Sequence, residues 1–261
     1  MNHQMHHFDM GYWLLGLAYI VSVTGSVVGL ACTRQSAAAS DRRDRLRWLA
    51  MASIAIGGVA IWLMHFIAML GFAIPNSVVR YNLGWTVASA ALSISAVFVG
   101  LITIGRTVNL PRLIAGGVIT GLAVALMHYT GMWAVQIQGT IAYNKGLVAL
   151  SILIAVVAAT AALWFTLVLE SPVLRFAAGL VMGVAVVGMH YTGMAAVRVD
   201  VDHAAAVPGG LEVFSFLFPV FVIGLLALAV PITAVMLASD RGAAEKRPAP
   251  RPVAASAGRH R

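Results

Sequence analysis

Seven stretches of this chain contain no Asp, Glu, Lys or Arg and are each long enough to cross a membrane. They run over Tyr12–Cys32, Trp48–Gly71, Leu83–Ile104, Leu113–Val135, Leu147–Leu169, Phe176–Val197 and Val213–Ala238. A helix needs about 20 predominantly apolar residues to span the hydrocarbon. Backbone polar groups in lipid must be bonded internally, which selects helices for runs of this length, and the short alternating segments of a barrel do not occur. The fold class these stretches predict is an all-α membrane protein with seven transmembrane helices. Composition agrees, with 61% hydrophobic and 10% charged residues against roughly 25% charged in a soluble domain. That balance argues against a water-soluble enzyme, a nucleic-acid binder and a disordered protein.

The net charge of +8 takes its meaning from placement. Of the 17 Lys and Arg, 14 fall in the connections and tail of one side: Arg34 to Arg47, Arg106, Arg112, Arg175, and Arg241 onward. Only Arg80, Lys145 and Arg198 fall on the other. Cytoplasmic connections carry the excess of Lys and Arg, so the N-terminus is expected outside and the C-terminus in the cytoplasm of a bacterial inner membrane. Arg47, Arg112 and Arg175, each just before an even-numbered span, read as topology anchors. No Lys or Arg precedes the first span, so it is not expected to be a cleaved signal. For the same reason Ala31-Cys32 is a poor lipoprotein site. The lone Cys32 excludes an internal disulfide and any two-cysteine metal centre. Residues 1–11 form a His- and Met-rich outer segment, 12–238 the membrane domain, and 239–261 a basic, Pro-containing tail expected to be disordered.

Spans two, four and six repeat one string. It reads Met64-His65-Phe66-Ile67-Ala68-Met69, then Met127-His128-Tyr129-Thr130-Gly131-Met132, then Met189-His190-Tyr191-Thr192-Gly193-Met194. The histidines are 63 and then 62 residues apart, with two spans in each interval. The chain therefore divides into three helix hairpins and a closing helix. These strings resemble the MHYT domain, a bacterial seven-helix membrane module named for Met-His-Tyr-Thr. The resemblance covers roughly residues 8–238. The first repeat departs from it at Phe66, Ile67 and Ala68 while keeping its Met and His. Such a resemblance implies a sensor of oxygen, carbon monoxide or nitric oxide acting through bound copper. Many family members are fused to domains that make or degrade cyclic di-GMP. No catalytic or output domain is read in this chain, so a separate signalling partner is expected.

At 100° per residue, each Met four residues after its His lies 40° away on the same face. Gly121 and Gly183, seven residues before, lie at 20°, with Gly58 in the equivalent place of the first repeat. Gly117 and Gly179 continue the stripe, and Gly25 and Gly29 form another on the first span. Small residues spaced by four allow close helix approach in membranes, so the histidines are expected to face protein. They sit six or seven residues from their helix ends, roughly 10 Å below the interface. Ionisable groups at such depth are rare and functional by default, and no transmembrane carboxylate or Lys is available to pair with them.

Thioether sulfur is soft and favours Cu(I), imidazole suits copper in either state, and zinc prefers Cys, His or carboxylate. The expected ligand pairs are His65/Met69, His128/Met132 and His190/Met194, with Met64, Met127 and Met189 in reach of adjacent helices. Spacing leaves open whether they form one centre or several. His3, Met5, His6 and His7, near Asp9 and Met10, make an accessory metal cluster by composition. Tyr129 and Tyr191 read as supporting or interfacial residues rather than ligands. Thr130 and Thr192 are expected to bond within their helices, and Ser22, Ser26, Ser89, Ser93 and Ser95 to pack between helices. The leading function is a membrane sensor or signalling module with a copper site near the outer face, answering a diatomic gas or redox state. The alternative is a copper-handling membrane protein for transport or delivery, and a redox enzyme using copper or haem stands third. A retinal protein is excluded, since Lys145 and Lys246 lie outside the spans.

Overall fold

The structure, a computed structural model, describes residues 11–74, 77–202 and 204–245. It is built from α1 (Trp13–Ala38), α2 (Arg42–Met69), α3 (Leu83–Ile104), α4 (Leu110–Trp133), α5 (Lys145–Val168), α6 (Pro172–Ala195) and α7 (Val213–Glu245). All seven are long and apolar enough to cross a membrane. Their ends differ from the hydropathic limits. Helix α1 continues through Ala38 past Cys32, α2 begins at Arg42 rather than Trp48, and α7 continues to Glu245 past Ala238. Hydropathy marks where the chain is apolar, whereas a helix emerging from hydrocarbon tolerates charge in its outer turns. Arg42 to Arg47 therefore ride on α2, where Arg47 pairs with Asp44 at 3.1 Å.

The starts of the middle helices follow from capping chemistry. Asn82, Asn109 and Asn144 accept backbone N–H groups of the first turns of α3, α4 and α5, satisfying donors that have no intrahelical partner. A proline in the first turn begins both α4 and α6, where its missing N–H costs nothing.

Helices α1 to α6 form a closed ring in chain order, with α6 returning onto α1 and α7 docked outside against α1 and α2. Glycines set the close contacts. A Cβ on Gly25 would meet the Ala55 carbonyl oxygen at 2.5 Å, and one on Gly121 would strike the Val156 backbone. One on Gly183 would crowd the side chains of Val23 and Tyr19 of α1. The first repeat obeys this logic one residue out of step. Residues Ile54–Leu63 of α2 are wound as a π-helix, whose i→i+5 bonding turns each residue through less than 100°. The shift brings Gly57, not the expected Gly58, to the tight place. A Cβ at Gly57 would lie 2.7 Å from the Ser93 carbonyl oxygen, against 3.5 Å to the nearest side chain at Gly58. Ser93 also donates to the Gly57 carbonyl at 2.7 Å, and Trp62 Nε1 donates to Ser89 at 2.9 Å. Ser95 is exposed.

The loops at the motif end interlock. Strand β1 (Arg80–Tyr81) pairs with both β2 (Val135–Gln136) and β5 (Leu211–Glu212), and β3 (Gly139–Tyr143) pairs with β4 (Val197–Val201), all antiparallel. The start of α3 is tied to the end of α4 by Asn82 N–H to the Ala134 carbonyl. The start of α5 is tied to the end of α6 by Asn144 N–H to the Ala196 carbonyl, both at 2.8 Å. Strands of two to five residues carry no usable periodicity, and the sequence did not announce them.

A candidate metal centre of three histidines

Helices α2, α4 and α6 alternate around the ring, and each turns its histidine to the common axis. His65, His128 and His190 are each 1% exposed. Their rings form a near-equilateral propeller, with centroids 5.0, 4.9 and 5.2 Å apart and planes crossing at 84°, 81° and 83°. The Nδ1 atoms point inward. That of His65 lies 3.0 Å from His190 Nδ1 and 3.2 Å from His128 Nδ1. The histidines therefore form one cluster rather than three separate sites.

Glycine makes the propeller possible. A Cβ on Gly131 of α4 would fall 2.6 Å from His65 Nε2, and one on Gly193 of α6 would strike His128 Nε2. The rings of His65 and His128 thus each lie across the glycine of the next motif helix. This is a physical reason for Gly three residues after His in two of the repeats. Beside each imidazole stands the following aromatic ring, edge-on: Phe66 at 4.9 Å, Tyr129 at 4.9 Å and Tyr191 at 5.0 Å. Tyr129 is hydrogen-bonded to Ser151 at 2.7 Å, and Thr192 donates to the Gly188 carbonyl at 2.7 Å.

The histidines lie four or five residues from the ends of their helices, at Met69, Trp133 and Ala195. This is shallower than the expected six or seven residues, about 6–8 Å of helix. Burial comes instead from the strand cap and the sulfur layer beneath it. Met69, Met132 and Met194 all join one buried cluster with Phe66, Phe72, Tyr81, Val135 and Val197. The methionines that precede the histidines divide between two clusters. Met127 and Met189 belong to the central core, and Met64 packs with Leu14, Ala18 and Ile67 between α1 and α7. His3, Met5, His6 and His7 lie outside the described residues. Burial raises the Tyr81 phenol above its ordinary range and pushes Tyr143 up to about 12, with Tyr129 beside it adding to the effect. The cap therefore presents neutral hydroxyls at neutral pH.

Hydrogen bonding alone does not satisfy this cluster. A neutral imidazole nitrogen carries either one hydrogen or one lone pair, so the two contacts of His65 Nδ1 cannot both be ordinary hydrogen bonds. The Nε2 atoms of His65 and His128 have no hydrogen-bond partner. A cation at the axis would accept three lone pairs at once. Nitrogens bound about 2.0 Å from one metal ion lie roughly 3.3–3.5 Å apart, close to the observed spacing. Among the described residues this is the one cluster of three His, Cys, Asp or Glu donors close enough to hold a metal ion.

The fold and site define a seven-helix membrane module carrying a buried tri-histidine cluster at one end. The chain matches the MHYT family, described as a bacterial signalling protein N-terminal repeat, over residues 58–117, 121–179 and 183–245, and it belongs to that family. It is 35% identical over 233 residues to the bifunctional diguanylate cyclase/cyclic di-GMP phosphodiesterase MucR of Pseudomonas aeruginosa, covering 87% of this chain and 34% of that one. It is 32% identical to the signaling protein YkoW of Bacillus subtilis, over 83% of this chain and 27% of the relative. Identity is also 32% to the cyclic di-GMP phosphodiesterase NbdA of Pseudomonas aeruginosa, over 72% and 24%. The chain thus spans about a quarter to a third of the length of these relatives. No solved structure matches it.

Proposed function

We propose that this membrane signalling module holds a single copper ion at the His65/His128/His190 triad and reports a diatomic gas or redox state across the bilayer. The observation that carries the reading is the convergence of three Nδ1 atoms, two contacts at 3.0 and 3.2 Å, in a site with no carboxylate. Three neutral imidazoles suit Cu(I) or Cu(II). Met69, Met132 and Met194 in the overlying layer add the soft character that favours Cu(I) over zinc. Bound copper would supply a redox-active centre able to take a small ligand. The chain's own part is to exclude water with the strand cap and to hold the three rings on separate helices. A change in ligand demand would then move α2, α4 and α6 relative to one another.

The arginine-rich end is read as cytoplasmic by the charge asymmetry, in a bacterial inner membrane, with the triad toward the outside. Diguanylate cyclase and phosphodiesterase activities are named for the relatives, and a nucleotide-signalling output, on a separate protein or a longer chain, fits that company. Delivery of copper through the bilayer is the weaker reading. Toward the arginine-rich end the buried cluster is made by Leu30, Leu49, Ile104 and Leu113, with Cys32 as its one soft donor there, too few for a ladder of ligands.

The test is metal quantified by mass spectrometry in purified protein and in His65→Ala, His128→Ala and His190→Ala. One copper per chain, lost in each variant, is the expected result. Stoichiometric zinc, haem iron, or copper indifferent to the substitutions overturns it. A spectral response of the copper form to nitric oxide, carbon monoxide or oxygen identifies the signal.

A further inference from the structure

The core directly beneath the triad is hollow. A cavity of about 60 Å³ lies on the ring axis, on the arginine side of the histidines. Its walls include Ile61, Val124 and Val186, the residues four before His65, His128 and His190, together with Met189. The floor of the triad is therefore the roof of the cavity, about one helical turn away. That volume is several times the 10–15 Å³, roughly, that one water-sized molecule requires.

The lining chooses the occupant. A buried water needs two to four polar partners. Only Ser26, Thr120 and Thr166 bring hydroxyls to the wall. Thr120 and Thr166 already donate to the Ala96 and Leu163 carbonyls and can offer a guest only acceptor lone pairs, which leaves Ser26 Oγ, buried and without a hydrogen-bond partner, as the one free donor. The other fourteen lining residues are Ile, Val, Leu, Ala and Met, so the wall favours an apolar guest over water. The same space is ample for a diatomic molecule. Where α5 and α6 meet, the wall is thin. Ala158, Ala162 and Ala185 line the cavity and are only half-buried, so a molecule dissolved in the bilayer core meets methyl groups rather than large side chains.

The geometry points to this cavity as a binding chamber for one small apolar gas molecule, entered from the lipid between α5 and α6. The assignment rests on the gas-sensing reading for the physiological occupant, while the chamber itself is tested without copper or gas chemistry. Protein labelled at methionine methyl groups is placed in nanodiscs and pressurised with xenon. Met182 and Met189, both in the wall, are expected to shift saturably in methyl NMR spectra. Met236, 63% exposed on α7, reports xenon dissolved in lipid and should show only a linear drift.

Filling the chamber with Ala159→Leu should cut the saturable shift at least tenfold, and Ala185→Leu, at the mouth, should do likewise. Cavity filling should leave the melting temperature equal or raised, and a variant that unfolds is replaced by Ala159→Val or Ala185→Val. Absence of a saturable shift in the wild type overturns the assignment, as does saturation that survives both fillings. A copper-loaded wild type blind to nitric oxide would sink the gas-sensing reading alone, because the xenon result stands apart from it.

Discussion

After His65, helix α2 continues with Phe66, Ile67 and Ala68, exposed by 0%, 1% and 3%. After His128 and His190, helices α4 and α6 continue with Tyr-Thr-Gly, whose Tyr and Thr are half-buried. The difference follows the seventh helix. It covers α2 and leaves the outer faces of α4 and α6 open, so 78% of the apolar window of α2 is buried against 44% and 33% for the other two. Ile67 belongs to a buried cluster against which Val220 and Phe221 of α7 pack, and a Cβ on Gly224 of α7 would strike Leu63. A hydroxyl at position 67 would enter this dry contact, whereas Tyr129 at the open face reaches Ser151. The first repeat thus carries apolar side chains where α7 covers it, and it shares the histidine because the axis is common to all three.

The largest effect should test that common axis. Replacing any of the three histidines by Ala is expected to lower copper affinity more than 100-fold, beyond the 10–100-fold typical of outer-shell partners. Competition with a Cu(I) chelator measures it. Full copper retention in His65→Ala alone would break the equivalence of the repeats. Next come Gly131→Ala and Gly193→Ala, whose new methyl groups would meet His65 and His128. Overpacking of this kind should cost about 2–3 kcal/mol, read as thermal unfolding in detergent, with copper lost in parallel. Ala68→Gly should cost about 1 kcal/mol or less and keep the metal. Gly131→Ala and Gly193→Ala that instead raise stability by about 1 kcal/mol, as helix propensity alone predicts, would refute the ring-packing role of the glycines.

Ile67→Thr, which restores the residue of the other repeats, should destabilise by about 1–2 kcal/mol, because it buries a hydroxyl under α7. The reverse exchange, Thr192→Ile, should cost less than about 1 kcal/mol at its half-buried site. A smaller loss at position 67 than at 192 would refute the role given to the closing helix. The least effect is expected from Arg80→Ala. Its ion pair with Glu212 spans 2.9 Å at a solvent-exposed carboxylate, and such pairs contribute about 0.2–1 kcal/mol. That loss should shrink further in high salt.

Much of this architecture was legible because lipid imposes a simple code. Charge-free runs located all seven helices, the spacing of the His-Met strings exposed the hairpin repeat, and the glycine stripes identified the faces that pack. Where the code became local, it failed by small amounts. The π-helical winding of α2 moved the tight contact from Gly58 to Gly57, and interhelical packing, not propensity, selects such winding. The strand cap was invisible because its strands are too short for a period and are held by partners distant in sequence.

The chain by itself determined that seven helices form, that three of them carry equivalent histidines at one end, and that the donors available there are imidazole and thioether. Only the tertiary structure decided that three Nδ1 atoms meet at one point, that the sulfurs after the histidines share a layer while those before them divide between two clusters, and that a hollow lies below. Periodicity describes one helix about its own axis. Convergence depends on how helices sit against each other, and contacts such as Gly131 on His65 and Gly193 on His128 set that.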